Sequence, residues 1–320
     1  MEYVEEGTVD AMKKYFLSAN TSEGYVSFYD ETANRLERMY AISGVPEASA
    51  SKIIKDIAVS KGADELILNP MNTEMADGCI WRERGIGVFG ERIKSEPVSG
   101  VNHNGLYGAY GEAKKIHDEW EKIYIENMDI KRLNGYCDKV ISELLGNKLG
   151  SGEPEDVSRF FGASTPVKPI NFINELTEDI KARYFIKGRP GTGKSTFLKR
   201  FRKEAADRGF DTETYYCSFD PKSLDMVVVR ELSLCIFDST APHEMFPESE
   251  RDKILDFYTE AGLTGIDEKY EKQLKEIEKA YREKMKEGVA FLGNICAGIS
   301  GKEDKGAEKS IYKMLADKFL

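Results

Sequence analysis

Histidine, tryptophan and long apolar runs are all scarce in this chain, and each scarcity excludes something. Three histidines and five cysteines (Cys79, Cys137, Cys217, Cys235, Cys296) are scattered over 320 residues with no C-x-x-C pair. That argues against a structural zinc and reads the thiols as reduced, small, buried apolar groups. No stretch approaches the roughly 18 to 20 consecutive apolar residues that span a bilayer. The opening MEYVEEGTVDAMKK is acidic where a secretory leader is basic. The expectation is a cytoplasmic protein with no membrane segment. Positive charge is in deficit too: at a formal net charge of −10, nucleic acid and anionic membranes are poor main partners, because both attract basic faces. What is abundant points to a folded chain. Apolar residues make up 41%, with 16 Tyr and 16 Phe, too much aromatic content for general disorder.

The length suits two domains of ordinary size. Gly, Ser, Pro and Glu concentrate in GNKLGSGEPEDVS, Gly146 to Ser158, as in a linker, giving domains at 1–150 and 151–320. The two parts resemble each other. At an offset of 144 positions YAISGVPEASASKIIK (Tyr40 to Lys55) lies over YFIKGRPGTGKSTFLK (Tyr184 to Lys199), with six of sixteen residues identical. After a four-residue gap, ADGCIWRERGIGVFG (Ala76 to Gly90) lies over LDMVVVRELSLCIFD (Leu224 to Asp238), matching Asp77 to Asp225, Arg82 to Arg230, Glu83 to Glu231 and Phe89 to Phe237. Upstream, KYFLSANT around Tyr15 and Phe16 resembles RFFGAST around Phe160 and Phe161. Three matches in one order indicate duplication.

In the second part RYFIKG reads as a strand. KSTFLKRFRKEAADRG reads as a helix, with Phe197, Phe201 and Ala205 on one face and Gly209 at its end. TETYYCSF and LSLCIFD read as buried strands of a mainly parallel sheet. Late in each part comes an amphipathic helix suited to packing, with Ile116, Trp120, Ile123 and Met128 in one and Tyr270, Leu274, Ile277, Tyr281 and Met285 in the other.

Between strand and helix stands Gly188-Arg189-Pro190-Gly191-Thr192-Gly193-Lys194-Ser195, followed by Thr196. This is G-x-x-x-x-G-K-[ST] in the context it needs. Glycines at 188, 191 and 193 permit positive φ and leave backbone N–H groups clear to face a phosphate. Lys194 supplies charge to the β- and γ-phosphates, Ser195 a hydroxyl to Mg²⁺, and the helix start a positive dipole end. A second metal ligand must come from another strand end. Asp238, closing LSLCIFD, is the first candidate; Asp220, closing YYCSFD, is the alternative for the metal, or else a substrate or water contact.

No Glu follows Asp238, so His243 and Glu244 are the nearest candidates for a base or γ-phosphate sensor. An N/T-K-x-D guanine motif is missing as well, which makes ATP the expected nucleotide. Arg251 reads as a lid arginine or, more simply, as a surface residue. Lys199, Arg200, Arg202 and Lys203 read as a solvated helix flank.

Gly188 to Ser195 together with Asp238 resembles the P-loop NTPase superfamily. The two-part layout, with CSFDPKSLD and FDSTAPH, looks like a family of bacterial ATP-binding proteins with tandem P-loop-like halves, some labelled nucleotide kinases. The resemblance implies an α/β fold of two tandem P-loop NTPase-like domains, each a mainly parallel sheet flanked by helices. It implies ATP and Mg²⁺ at the second, and assigns no substrate, partner or oligomeric state. The first part departs in concert: Ala50 stands for Lys194, Ser49 for Gly193, Glu47 for Gly191 and Gly90 for Asp238, with Ser51 alone retained. It reads as a degenerate site, with Glu47 an acid where phosphate would sit. Three functions fit: ATP hydrolysis switching the two parts, with Arg82 or Arg84 as a finger; phosphoryl transfer to a small molecule with Asp220 as base; and an ATP-sensing scaffold.

Overall fold

The computed structural model describes residues 12–94, 103–150, 152–297 and 303–318. Residues 1–11 of the acidic opening, and Ser151 of the linker, lie outside the described residues. The first repeat runs β1 (Lys13–Tyr15), β2 (Ser18–Thr21), β3 (Gly24–Ser27), α1 (Tyr29–Asn34), β4 (Arg38–Ile42), α2 (Glu47–Lys61), β5 (Glu65–Leu68), β6 (Ala76–Trp81), β7 (Ile86–Gly90), α3 (Asn104–Asn127) and α4 (Ile130–Leu145). The second runs β8 (Asp156–Arg159), β9 (Gly162–Ser164), β10 (Pro169–Asn171), α5 (Ile173–Leu176), β11 (Ala182–Lys187), α6 (Lys194–Asp207), β12 (Thr212–Tyr216), β13 (Leu224–Val229), β14 (Leu234–Asp238), β15 (Asp252–Asp256), α7 (Phe257–Glu260), α8 (Ile266–Lys269), α9 (Glu271–Ala297) and α10 (Lys305–Lys318). No helix of the described residues is long and apolar enough to cross a membrane.

The two sheets have one topology. The first is ordered β1-β5-β6-β7-β4 and the second β8-β12-β13-β14-β11, with β15 added outside β11. Their registers agree rung by rung: Tyr40 faces Val88 as Tyr184 faces Ile236, and Gly78 faces Phe89 as Met226 faces Phe237. Even the irregularity between Ile67 and Leu68 recurs between Tyr215 and Tyr216. The sheets are mixed rather than mainly parallel, because β6 and β13 run antiparallel to both neighbours. The connections explain this. Residues 69–75 and 82–85, and their counterparts 217–223 and 230–233, are shorter than the dozen or so residues a parallel crossover takes.

Phe16 and Phe160, equivalent residues, bond to each other, each N–H donating to the other's carbonyl at 2.9 Å. A residue bonded to its own counterpart lies on an axis that exchanges the repeats, so this bridge marks a local two-fold. Across it the inner faces of both sheets share one core, with Tyr15, Ile67 and Phe89 meeting Phe185, Tyr215, Met226 and Phe237. Arg159, buried on the same axis, reaches Glu65 at 3.1 Å and its counterpart Glu213 at 3.5 Å.

Helices cover the outer faces, which makes four layers. The apolar stripe of α2 (Ile53, Ile54, Ile57) packs with Leu66, Cys79 and Val88; that of α6 (Phe197, Leu198, Phe201) packs with Val227 and Ile236. β13 is buried at every residue because both of its faces are covered. The last helices are exchanged. Leu133, Cys137, Val140, Ile141 and Leu144 of α4 complete the outer core of the second repeat, and Leu315 of α10, with Ile311 and Tyr312 beside it, completes that of the first. The linker at 150 divides the sequence repeats, but each repeat's outer core borrows a helix from the other.

Candidate functional site

The Gly188–Ser195 loop joins β11 to α6 at the carboxyl ends of two adjacent parallel strands, β11 and β14, where Ile186 pairs with Asp238. Crevices at such strand ends are where open α/β sheets take ligands. Gly191 and Gly193 have φ of 76° and 81°, as the motif leads one to expect. Gly188 does not have positive φ; a Cβ there would stand 2.5 Å from Thr192 Oγ1, so its glycine is needed for space. Thr192, fully buried, turns its hydroxyl back to Arg189 O at 2.8 Å and holds the loop closed on itself. Pro190 is half-buried and Thr196 exposed.

Lys194 is buried, donates to Arg189 O at 2.9 Å and stands 3.6 Å from Asp238 Oδ2. Asp238 accepts from Thr240 N and Oγ1 through Oδ1, at 3.0 and 2.7 Å. Ser195 Oγ accepts from Leu224 N at 2.9 Å, tying the start of α6 to the start of β13. The structure thus brings Lys194, Ser195 and Asp238 together. Arg189 is turned elsewhere, onto Asp267 at 2.7 Å and over the Tyr258 ring.

The other candidates are differently employed. Asp220 closes the turn before β13, accepting from Lys222 N and Ser223 Oγ at 3.1 Å each, and faces Lys114 of α3 at 3.5 Å. His243 packs edge-on against Phe161, 4.9 Å between ring centres, with its Nδ1 buried and unpartnered among the described residues. Burial pushes its pKa down to about 4, against the opposing pull of Asp238, so the ring is neutral near pH 7. Glu244 faces Lys187. Arg251 binds the carbonyls of Thr177, Glu178 and Ile180, a structural role and not a lid.

Sequence reasoning missed two groups. One is Asp225, 8% exposed, whose carboxyl is pushed up to about 8 by burial and by Asp238. The only signal for it was its identity with Asp77 in the repeat. The other is the covering surface, all from the first repeat. A Cβ at Gly191 would lie 2.7 Å from Glu121 O, and one at Gly193 3.3 Å from Leu133, so α3 and α4 rest directly on the loop. Beside that contact His117, Trp120, Phe219 and Tyr281 form a ring cluster. Burial, then the charges of Lys114 and Lys194, lower the pKa of His117 to about 4, while burial raises that of Glu121. His117, Asp118 and Glu121 bring ligand atoms within 4.8 Å of one another, but Asp118 is already paired with Lys114.

The equivalent loop of the first repeat is filled. Ser49 Oγ donates to Glu308 of α10 at 2.8 Å, Lys52 pairs with the same carboxylate at 2.9 Å, and Asp304 N donates to Ser49 Oγ at 2.7 Å. The acid at the start of α2 that meets Ser49 is therefore Glu308; Glu47 is the helix's first residue. Ser51 accepts from Ala76 N at 2.8 Å just as Ser195 does from Leu224 N, so its retention has a structural cause. Arg82 is no finger: it pairs with Glu65 at the far end of its strand from Gly90. No family model, curated protein or solved structure matches the chain.

Proposed function

We propose that this is an ATP-binding P-loop protein with one working site, in the second repeat, that hydrolyses ATP with Mg²⁺ and reports the nucleotide's state through α3 of the first. The observation that carries this reading is the convergence of Lys194, Ser195 and Asp238 at the mouth of a loop whose Gly191 and Gly193 adopt positive φ. Backbone N–H groups at the start of a 14-residue helix, α6, suit anionic phosphate. Lys194 already reaches a carbonyl and a carboxylate, two acceptors that phosphate oxygens would replace. Ser195 and Asp238 offer the hard oxygen donors that Mg²⁺ takes. Bound there, the ion would offset charge on the β- and γ-phosphates.

Coupling to the first repeat follows from contact. Glu121 O rests against Gly191, so ordering of the loop around a triphosphate displaces or locks α3. Because α4 follows α3 and packs in the same core as α6, the displacement spreads to a helix shared by both repeats. The commitment of Asp220 to its own turn and to Lys114 favours hydrolysis over transfer with Asp220 as base.

The test is ATP binding and turnover, with and without Mg²⁺, in wild type and Lys194→Ala. Loss of one charged hydrogen-bond donor, about 1.5–3 kcal/mol, lowers affinity about 10- to 100-fold and abolishes turnover. Wild-type protein that binds no ATP overturns the proposal. Tight binding without turnover overturns hydrolysis and leaves a nucleotide sensor.

A further inference from the structure

Asp225 is the buried acid that the reading above does not use. Met226 faces Phe237 across the β13–β14 ladder, so the next rung sets Asp225 opposite Asp238. Both lie on the face that carries Val227 and Ile236 toward α6. Leu224, its neighbour, is the residue whose N–H donates to Ser195 Oγ. The carboxylate therefore lies among the groups already assigned to the cation.

Its surroundings lack what a buried carboxylate ordinarily has. At 8% exposure, Asp225 receives no N–H or O–H among the described residues; its partner is the Cys217 thiol, a weak donor. Buried polar groups are as a rule hydrogen-bonded, so such an acid calls for an explanation. The first repeat supplies the control. There the same residue, Asp77, accepts from Asn69 Nδ2 at 2.9 Å and faces Gly90, which has no side chain. Between the repeats the amide donor Asn69 becomes Cys217 and Gly90 becomes Asp238, at the same time as Ala50 becomes Lys194 and Ser49 becomes Gly193. The fold accommodates an amide-bonded Asp at this position, as Asp77 shows. Withdrawing its donor while adding a second carboxylate opposite makes sense when a cation completes both.

Resting on the P-loop reading, we propose that Asp225 is a third oxygen ligand of the divalent cation, beside Ser195 and Asp238. Two carboxylates and a hydroxyl then face one ion, and Lys194 is released from Asp238 to the phosphates. The thiol of Cys217 keeps the space that an amide would otherwise occupy and, as a weak donor, competes less than an amide for the carboxylate's lone pairs.

The experiment reads Mn²⁺ binding directly, from the electron paramagnetic resonance signal of free Mn²⁺, with and without a non-hydrolysable ATP analogue. Asp225→Asn is expected to weaken Mn²⁺ about 10- to 100-fold, with analogue affinity in EDTA unchanged. Cys217→Asn, which restores the donor found in the first repeat, weakens Mn²⁺ in the same direction; Asp77→Asn has no effect. A higher melting temperature of metal-free Asp225→Asn than of wild type confirms that the variant folds and that the lone acid costs stability. Wild-type Mn²⁺ affinity in both Asp225→Asn and Cys217→Asn overturns the role of Asp225 and leaves the P-loop reading standing. Wild-type protein that binds neither Mn²⁺ nor analogue overturns both.

Discussion

Replacing Gly191 with alanine separates two reasons why the loop needs glycine there. One is conformational: φ at 191 is 76°, and an L residue in the left-handed region costs about 1–2 kcal/mol. The other is steric, because the added Cβ would stand 2.7 Å from Glu121 O and 3.0 Å from its Cα and Cβ. The first two are helix backbone and the third is fixed to it, so relief requires α3 to retreat as a body. It is held in place by α9 through Lys284–Glu112 at 2.6 Å and Trp120–Tyr281 at 6.1 Å between ring centres. Overpacking of this kind costs about 1–3 kcal/mol, which brings the expected loss to about 2–5 kcal/mol. Gly44 is the internal control. Its φ is 72°, it is exposed, and a Cβ there meets nothing within 4 Å, so Gly44→Ala should lose only the conformational part, about 1–2 kcal/mol. Urea midpoints, taken with a common slope, give both losses. Trp120, on α3 beside Glu121, adds a local readout, its emission shifting in Gly191→Ala and not in Gly44→Ala. Equal losses in the two variants with unchanged Trp120 emission would refute the claim that α3 rests on the loop.

Ala50→Lys is expected to create no second nucleotide site, because Glu308 already satisfies Ser49 and Lys52 at the start of α2; calorimetric titration should still give one ATP per chain, and two would sink the filled-site reading. Stability should fall as pH drops from about 6.5 to 4: the unfolded chain binds protons at His117 and His243 near pKa 6.5, while both stay neutral in the fold down to about 4. Discounted for partial exposure, His243 accounts for about 1–2 kcal/mol of this. His243→Phe should flatten the slope of unfolding free energy between pH 7 and 5 by that amount, and an unchanged slope would show that His243 does not titrate as described.

The duplication was legible because the residues it preserves are those the sheet needs. Arg82 and Arg230, matched from sequence alone, each pair with the glutamate at the same place in their own repeat, Glu65 and Glu213. The glycine-rich loop was legible because its pattern is local to eight residues. The antiparallel middle strand could have been read from the short RERG and RELS connections, but apolar runs signal burial and are silent on direction. The helix exchange had no sequence signal. The stripe of Leu133, Cys137, Val140, Ile141 and Leu144 requires that α4 be covered and does not specify by which sheet. Likewise nothing in the sequence tells that Glu308 meets Ser49, 259 residues away.

The exchange also accounts for why the two equivalent loops differ. In each repeat the residue at the third loop glycine position is met by the borrowed helix: Ser49 by Glu308 of α10, Gly193 by Leu133 of α4. A helix start presents unsatisfied N–H groups and a positive end, which favour an anion. In the first repeat that anion is built into the chain, with Lys52 and Ser49 holding the Glu308 carboxyl below its usual range. In the second the borrowed residue, Leu133, is apolar and brings no charge to the helix start. The difference between the two equivalent loops thus turns on one side chain from each partner helix. For the same reason the two repeats are bound to each other: α3 and α4, which belong to the first repeat in sequence, rest on the loop in the second.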